Sequence, residues 1–215
     1  MAADSAGAPG TPGRDEPLIR QAELRERLAT KSVAILGCGG LGSNCAALLV
    51  RSGVLTLTLV DHDRVEADNL NRQLFFPDQI GLPKTEALAA TLRRIRPDVA
   101  LVLHHTCVTA ENAAELVGDA EVVIEATDRP DVKAMLVATL LDACPGVPLV
   151  GASGLAGFGS ANDIVTERVG QEFYLVGDLE SDIRDGLPLM SSRVTVAAAH
   201  QAHAAIRILL GYPEA

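Results

Sequence analysis

Tryptophan is absent from the 215 residues, and aromatic residues together supply only 3% of the chain. A core without aromatic bulk must be filled by Ala, Leu, Val and Ile, which suits helices packed closely on a parallel sheet. Material for it is ample, since 48% of residues are hydrophobic and mean hydropathy is +0.22. Basic residues are in deficit: 18 Lys and Arg against 28 Asp and Glu leave a formal net charge of -10. That balance excludes a broad footprint on phosphate backbones, so no nucleic-acid partner is expected. The cysteines (Cys38, Cys45, Cys107 and Cys144) include no CxxC pair, so neither a disulfide scaffold nor a zinc site is expected. The N-terminus has neither the basic start nor the apolar stretch of a secretory signal. The best candidate for a membrane span, residues 194–210, is broken by His200, Gln201, His203 and Arg207. These absences predict a soluble, cytoplasmic, single-domain protein over residues 16–215, behind a disordered tail at residues 1–15 that is rich in Ala, Gly and Pro.

What is present alternates. A Leu-spaced helix is expected over residues 16–29, then a strand at 33–36 that runs into Gly37-Cys38-Gly39-Gly40-Leu41-Gly42. A helix at 43–51 and a strand at 55–60 complete a strand–turn–helix–strand unit of βαβ length. Further helices are predicted at 84–96, 111–117 and 131–143, with strands at 99–103, 121–126 and 148–152. Residues 163–168 and 172–176 read as an antiparallel pair, and 192–210 as a final Ala-rich helix closed by Gly211. The pattern predicts a doubly wound, Rossmann-like α/β fold with a mainly parallel sheet and a short antiparallel extension.

Gly37, Gly39 and Gly42 match G-x-G-x-x-G, with a strand before and a helix after. Glycines there permit a tight turn and let phosphate approach a helix N-terminus. Asp61, about 20 residues on, ends the second strand where a carboxylate can accept ribose hydroxyls. Nicotinamide enzymes are the commonest owners of this signature. The polar run from Asp61 to Gln73, Lys84, and the Ala126-Thr127-Asp128 segment suit another chemistry. An Arg, a Lys and an Asp gathered at one sheet edge can clamp a triphosphate and hold Mg2+, which hydride transfer does not require.

At GCGGLGSN (37–44), DHDRVEADNLNRQ (61–73), GLPK (81–84) and ATD (126–128) the chain resembles the ThiF/MoeB/HesA family of the ubiquitin-activating-enzyme superfamily. The last third, GASGLAGFGSANDI (151–164) with LMSSRVTVAAAHQAHAAIRILLG (189–211), is most similar to a short ThiF subgroup. The resemblance implies ATP-dependent adenylation of the C-terminal carboxylate of a ThiS-like sulfur carrier in thiamine biosynthesis. It implies that Gly37, Gly39, Gly40 and Gly42 bind the nucleotide together with Asp61 at the ribose, Asp63, Asn69 and Gln73. Arg72 and Lys84 would act on the phosphates and Asp128 would hold Mg2+. A homodimer is also implied, with Arg20 reaching the partner copy's ATP, although Pro17-Leu18-Ile19 departs from the family's aromatic-containing pattern there. A carrier carboxylate is already ionised at neutral pH, so the reaction needs no general base, only positioning and cations on the phosphates.

Alternatives stay open: adenylation of a peptide or RNA-linked carboxylate, a catalytically silent binding partner, or an NAD-dependent oxidoreductase. The family's zinc-binding CxxC pairs and its downstream covalent cysteine have no counterpart here. Cys38 and Cys45 read as packing residues, and His200 and His203 as positions on an amphipathic helix rather than a metal pair. The glycine-rich segment at 151–159 reads either as a channel for a carrier tail or as a flexible turn. The acidic stretch around Asp178, Glu180, Asp182 and Asp185 reads as solvated surface.

Overall fold

Four residues of the first strand, Val33 through Leu36, are buried on both faces, which is why they read as an uninterrupted apolar run. Alternate side chains serve two different cores. Val33 and Ile35 pack with one group of helices, whereas Ala34 and Leu36 pack with another on the opposite face.

The computed structural model describes residues 19–213, so the expected tail at 1–15 lies outside the described residues. The elements run α1 (Gln21–Ala29), β1 (Ser32–Leu36), α2 (Gly40–Ser52), β2 (Thr56–Asp61), α3 (Lys84–Ile95), β3 (Ala100–His105) and α4 (Ala113–Val117). They continue with β4 (Val122–Glu125), α5 (Pro130–Ala143), β5 (Leu149–Ala152), β6 (Val165–Arg168), β7 (Phe173–Gly177) and α6 (Ser191–Leu209). The sheet has seven strands in the order β3-β2-β1-β4-β5-β7-β6. Only β6 and β7 pair antiparallel, and β7 in turn runs parallel to β5, so the extension belongs to the same sheet. The doubly wound reading is correct. Two helix starts differ: α1, expected over 16–29, begins at Gln21 with Ile19 and Arg20 ahead of it, and α2 begins at Gly40 rather than residue 43, because the low helix propensity of glycine masks a first turn lying inside the loop.

Helices α2, α3 and α6 cover one face, with α1 adding Leu28; α4 and α5 cover the other. Ala46, Ala47, Ala197, Ala198, Ala202 and Ala205 lie in the first core. Their small side chains allow close helix packing and explain how the core dispenses with aromatics. The strand order reverses between β1 and β4, so the crevice beyond their carboxyl ends is where a ligand belongs in such a sheet. Among the described residues no helix is long and apolar enough to cross a membrane.

Candidate functional site

The glycine loop leaves β1 directly into that crevice. Gly37 has φ of 99°, and a Cβ there would stand 2.6 Å from the Ala126 carbonyl oxygen. A Cβ on Gly42 would stand 1.8 Å from the Gly37 carbonyl oxygen. These two glycines are therefore demanded by backbone crossing, which seats the start of α2 against the exit of β4. No side chain caps α2, and its first turn contains no acidic residue. Its leading N–H groups and positive dipole end face the crevice, an arrangement that attracts phosphate.

Asp61 is buried and ties β2 to this loop. Its Oδ2 accepts from the Cys38 N–H at 2.6 Å and its Oδ1 from the Asp63 N–H at 2.8 Å. Lys84, at the start of α3, is buried and donates from Nζ to Asp63 Oδ2 at 2.7 Å. Burial opposes ionisation of Asp63. The Lys84 hydrogen bond and charge, with His62 and His105, outweigh it and hold the carboxyl below its ordinary range. Asp61 and Asp63 thus brace the loop and the lysine that the sequence singled out.

The 66–74 stretch is stitched to α2. Asn69 Oδ1 accepts from the Glu66 N–H at 3.1 Å, and its carbonyl accepts from the N–H groups of Arg72 and Gln73. Asn44 Nδ2 donates to the carbonyls of Gly40 at 2.7 Å and Arg72 at 3.1 Å. Ser43 Oγ accepts from the Leu74 N–H at 3.0 Å. Arg72 therefore lies beside Gly40, where its Cγ would be 3.5 Å from an added Cβ. Its guanidinium donates to Asn71 Oδ1 at 2.8 Å and weakly to the Asp68 carbonyl at 3.4 Å. Gln73 is buried next to Gly39, and its Oε1 has no partner among the described residues.

Asp128 lies exposed two residues past Ala126, at the rim that the glycine loop touches. It is not part of the group whose ligand atoms gather within 4.8 Å, which is Asp61, His62 and Asp63. That group's carboxylates are engaged by backbone N–H groups and Lys84. Arg20 is exposed at the head of α1. The helix meets Gly53 through Arg25 and the Leu210 carbonyl through Arg27, both at the opposite end of the sheet. Arg20 does not join the cluster within its own chain.

A glycine loop and a polar 61–73 segment locked together around Ser43 and Asn44 form a nucleotide-type crevice with cations at its side. The model of the ThiF family matches residues 15–215. The chain belongs to the ThiF family. Ubiquitin-like modifier-activating enzyme 5 of Drosophila simulans is 51% identical over 88 residues, which are 40% of this chain and 22% of that protein. The matched segment thus spans about a fifth of that relative's length. Among solved structures, the ThiF-family fold is shared with E. coli tRNA N6-threonylcarbamoyladenosine dehydratase in complex with ATP. The TM-score is 0.79 at 23% identity, covering 87% of this chain and 88% of that one. E. coli MccB, solved with ATP, superposes with a TM-score of 0.69 at 23% identity, covering 89% of this chain and 59% of that one.

Several residues of this ThiF-family site escaped the sequence reading. Glu125, fully buried at the end of β4, accepts from the Thr127 N–H at 2.8 Å and the Thr127 hydroxyl at 2.5 Å, and pairs with Lys133. It thereby fixes the turn that leads to Asp128. Gln201, also fully buried, bridges the carbonyls of Glu125 at 3.0 Å and Val150 at 3.1 Å. A charge and an amide set inside apolar runs were the available signals. The readings of Cys38 and Cys45 as packing are right, since burial pushes both thiols up and out of reactive range. His200 bonds the Thr166 hydroxyl at 3.0 Å, and no third metal ligand gathers with it and His203 among the described residues.

The acidic stretch needs a correction at Asp178. Its side chain is 14% exposed and pairs with Arg193 at 2.6 Å, so it is not solvated surface. Burial opposes its ionisation, but the N–H groups of Ser181 and Glu180, with Arg193, hold its pKa at about 2, below the ordinary 3.8. A depressed folded-state pKa contributes stability above 3.8 that is lost as pH falls towards 2. The stability advantage of the native chain over Asp178→Asn should therefore be full at about pH 5 and shrink steadily below it in urea unfolding. An advantage independent of pH across that window would contradict the assignment.

Proposed function

We propose that this chain is an ATP-dependent adenylyltransferase that activates the C-terminal carboxylate of a small ubiquitin-like protein of the ThiS-like sulfur-carrier kind. What supports the reading is an uncapped α2 N-terminus at the strand-order reversal, with Arg72 beside Gly40, Lys84 held on Asp63 past the end of β2 and Asp128 past the end of β4. The similarity to the Drosophila ubiquitin-like modifier-activating enzyme supports the substrate class. The similarity of residues 151–164 and 189–211 to short ThiF sequences supports the finer assignment. A net charge of -10 disfavours an RNA-linked carboxylate.

In this mechanism a carboxylate oxygen attacks the α-phosphorus, the bond from that phosphorus to the bridging oxygen breaks, and pyrophosphate leaves with the electron pair. No proton moves in the step. The barrier is the approach of one anion to another and the charge left on pyrophosphate. The α2 N-terminus and Arg72 offset that charge, and Lys84 does so from a position fixed by Asp63. Asp61, with both oxygens engaged, keeps the loop in register and leaves its outer lone pairs towards a ribose. A magnesium ion suits Asp128, an exposed hard oxygen donor at the rim, better than the His-containing group. Bound there, the ion would supply charge neutralisation on the phosphates. Arg20 is assigned to the nucleotide of a second copy in a homodimer.

Exchange of labelled pyrophosphate into ATP tests the reading. Exchange should appear with a Gly-Gly-ended ThiS-like carrier and be absent without it. Absence of exchange with every ubiquitin-like carrier tried, together with tight NADH binding and no ATP binding, would replace this reading with the oxidoreductase one.

A further inference from the structure

Arg193 is a buried cation in a place that helix formation does not favour. It occupies the first turn of α6, where the dipole disfavours positive charge, and it is only 5% exposed, so its guanidinium has been removed from water. Its Nη1 donates to the carbonyls of Gly159 at 2.9 Å and Ser160 at 2.7 Å, and its Nη2 to Asp178 Oδ2 at 2.6 Å. One side chain therefore joins the segment after β5 to the segment after β7.

Those segments are interlocked at the backbone as well. Gly157 donates to the Pro188 carbonyl at 2.8 Å and Asp178 to the Gly154 carbonyl at 3.0 Å. A Cβ on Gly154 would stand 2.1 Å from Asp178 Oδ1, so the contact leaves no room for a side chain. The joined segments expose Phe158 (82%) on the uncharged glycine-rich side and Ile183 (55%) and Met190 (43%) on the acidic side, all large apolar side chains. They also abut the nucleotide crevice, because Val194, the next residue along α6, would touch a Cβ on Gly40 at 3.0 Å.

We propose that Arg193 is a positioning residue that welds residues 153–160 and 177–190 into one platform, from which the carrier tail is presented to the nucleotide. The platform is the carrier side of the site, and Arg193 touches neither substrate. The assignment rests on the adenylation reading above. It selects between the two readings of the 151–159 segment, in favour of a built surface rather than a flexible turn.

Arg193→Lys keeps the charge but cannot span both carbonyls and the carboxylate, and Asp178→Asn removes the charge and keeps one of the two acceptor oxygens. For Arg193→Lys, KM for the carrier should rise by about tenfold or more, while kcat at saturating carrier and ATP affinity stay within about twofold. Asp178→Asn should give a smaller rise of the same kind. Amide hydrogen exchange, which needs no carrier, should accelerate about tenfold in residues 153–160 and 177–181 of Arg193→Lys and remain unchanged in β1 and α2. An unmoved carrier KM, or exchange that accelerates throughout the chain, overturns the proposal and leaves Arg193 as ordinary scaffold. If no carrier supports adenylation by the native chain, the functional reading fails, and localised exchange then still establishes the weld without its substrate role.

Discussion

Arg72→Ala is expected to lower carrier-dependent pyrophosphate exchange by about 100- to 1,000-fold, the usual cost of losing one preorganised charge stabiliser. Asp128→Ala should cause a loss of similar size. Neither change should unfold the chain. Among the described residues the Arg72 guanidinium bonds only its neighbour Asn71 and, at 3.4 Å, the Asp68 carbonyl, and Asp128 is exposed at the rim of the crevice. Surface changes of that kind stay within about 0.5 kcal/mol in stability. Steady-state exchange beside a thermal melt separates the two effects. Full exchange in both variants would remove these residues from the site, and loss of exchange in step with loss of fold would make them structural.

Gly42→Ala should act in the opposite order, on the fold first. The new Cβ would lie 1.8 Å from the Gly37 carbonyl oxygen, a backbone atom that no side-chain rotation can clear. Either α2 or the end of β1 must shift. Overpacking costs about 1–3 kcal/mol where neighbours can yield, and this clash belongs at or beyond the top of that range. A loss of about 3 kcal/mol corresponds to a fall of roughly 6–12 °C in melting temperature for a chain of this size. Gly39→Ala is the matched control, since its Cβ would meet only Gln73 Nε2 at 3.8 Å. That variant should melt close to the native chain. Equal melting temperatures for the two variants would refute the backbone-crossing account of the loop.

The contrast between these glycines also marks what could be read from the sequence. Spacing identified Gly37, Gly39 and Gly42 and the strand before them, because buried parallel strands leave plain linear patterns, whereas Gly40 came with the family resemblance and the first turn of α2 was hidden in the loop. Spacing could not tell Gly42, which lies over the Gly37 carbonyl, from Gly39, which has space, because that difference arises from how the loop folds back on itself as α2 begins. Arg72 in the polar run at 61–73, Lys84 in GLPK and Asp128 in ATD could be singled out as candidates from their side-chain chemistry. What holds them could not be. Gln201 sits in an apolar stretch and acts on backbone carbonyls of two distant strands, and Glu125 ends another such stretch and holds Thr127 and Lys133. Asp178 and Arg193 lie 15 residues apart and become partners only when the segment after β7 folds onto α6. Local composition assigned Asp178 to solvent because its neighbours Glu180 and Asp185 do face solvent.

The central claim is that a carrier's terminal carboxylate is joined to AMP in this crevice. Intact mass spectrometry of a Gly-Gly-ended ThiS-like carrier, incubated with the chain, ATP and magnesium together with a pyrophosphatase, tests it most directly. The account predicts a carrier species heavier by one adenylyl group, absent when the carrier's C-terminus is amidated and absent with Arg72→Ala. An unmodified carrier under these conditions, or an adenylyl group that persists on the amidated carrier, would contradict it.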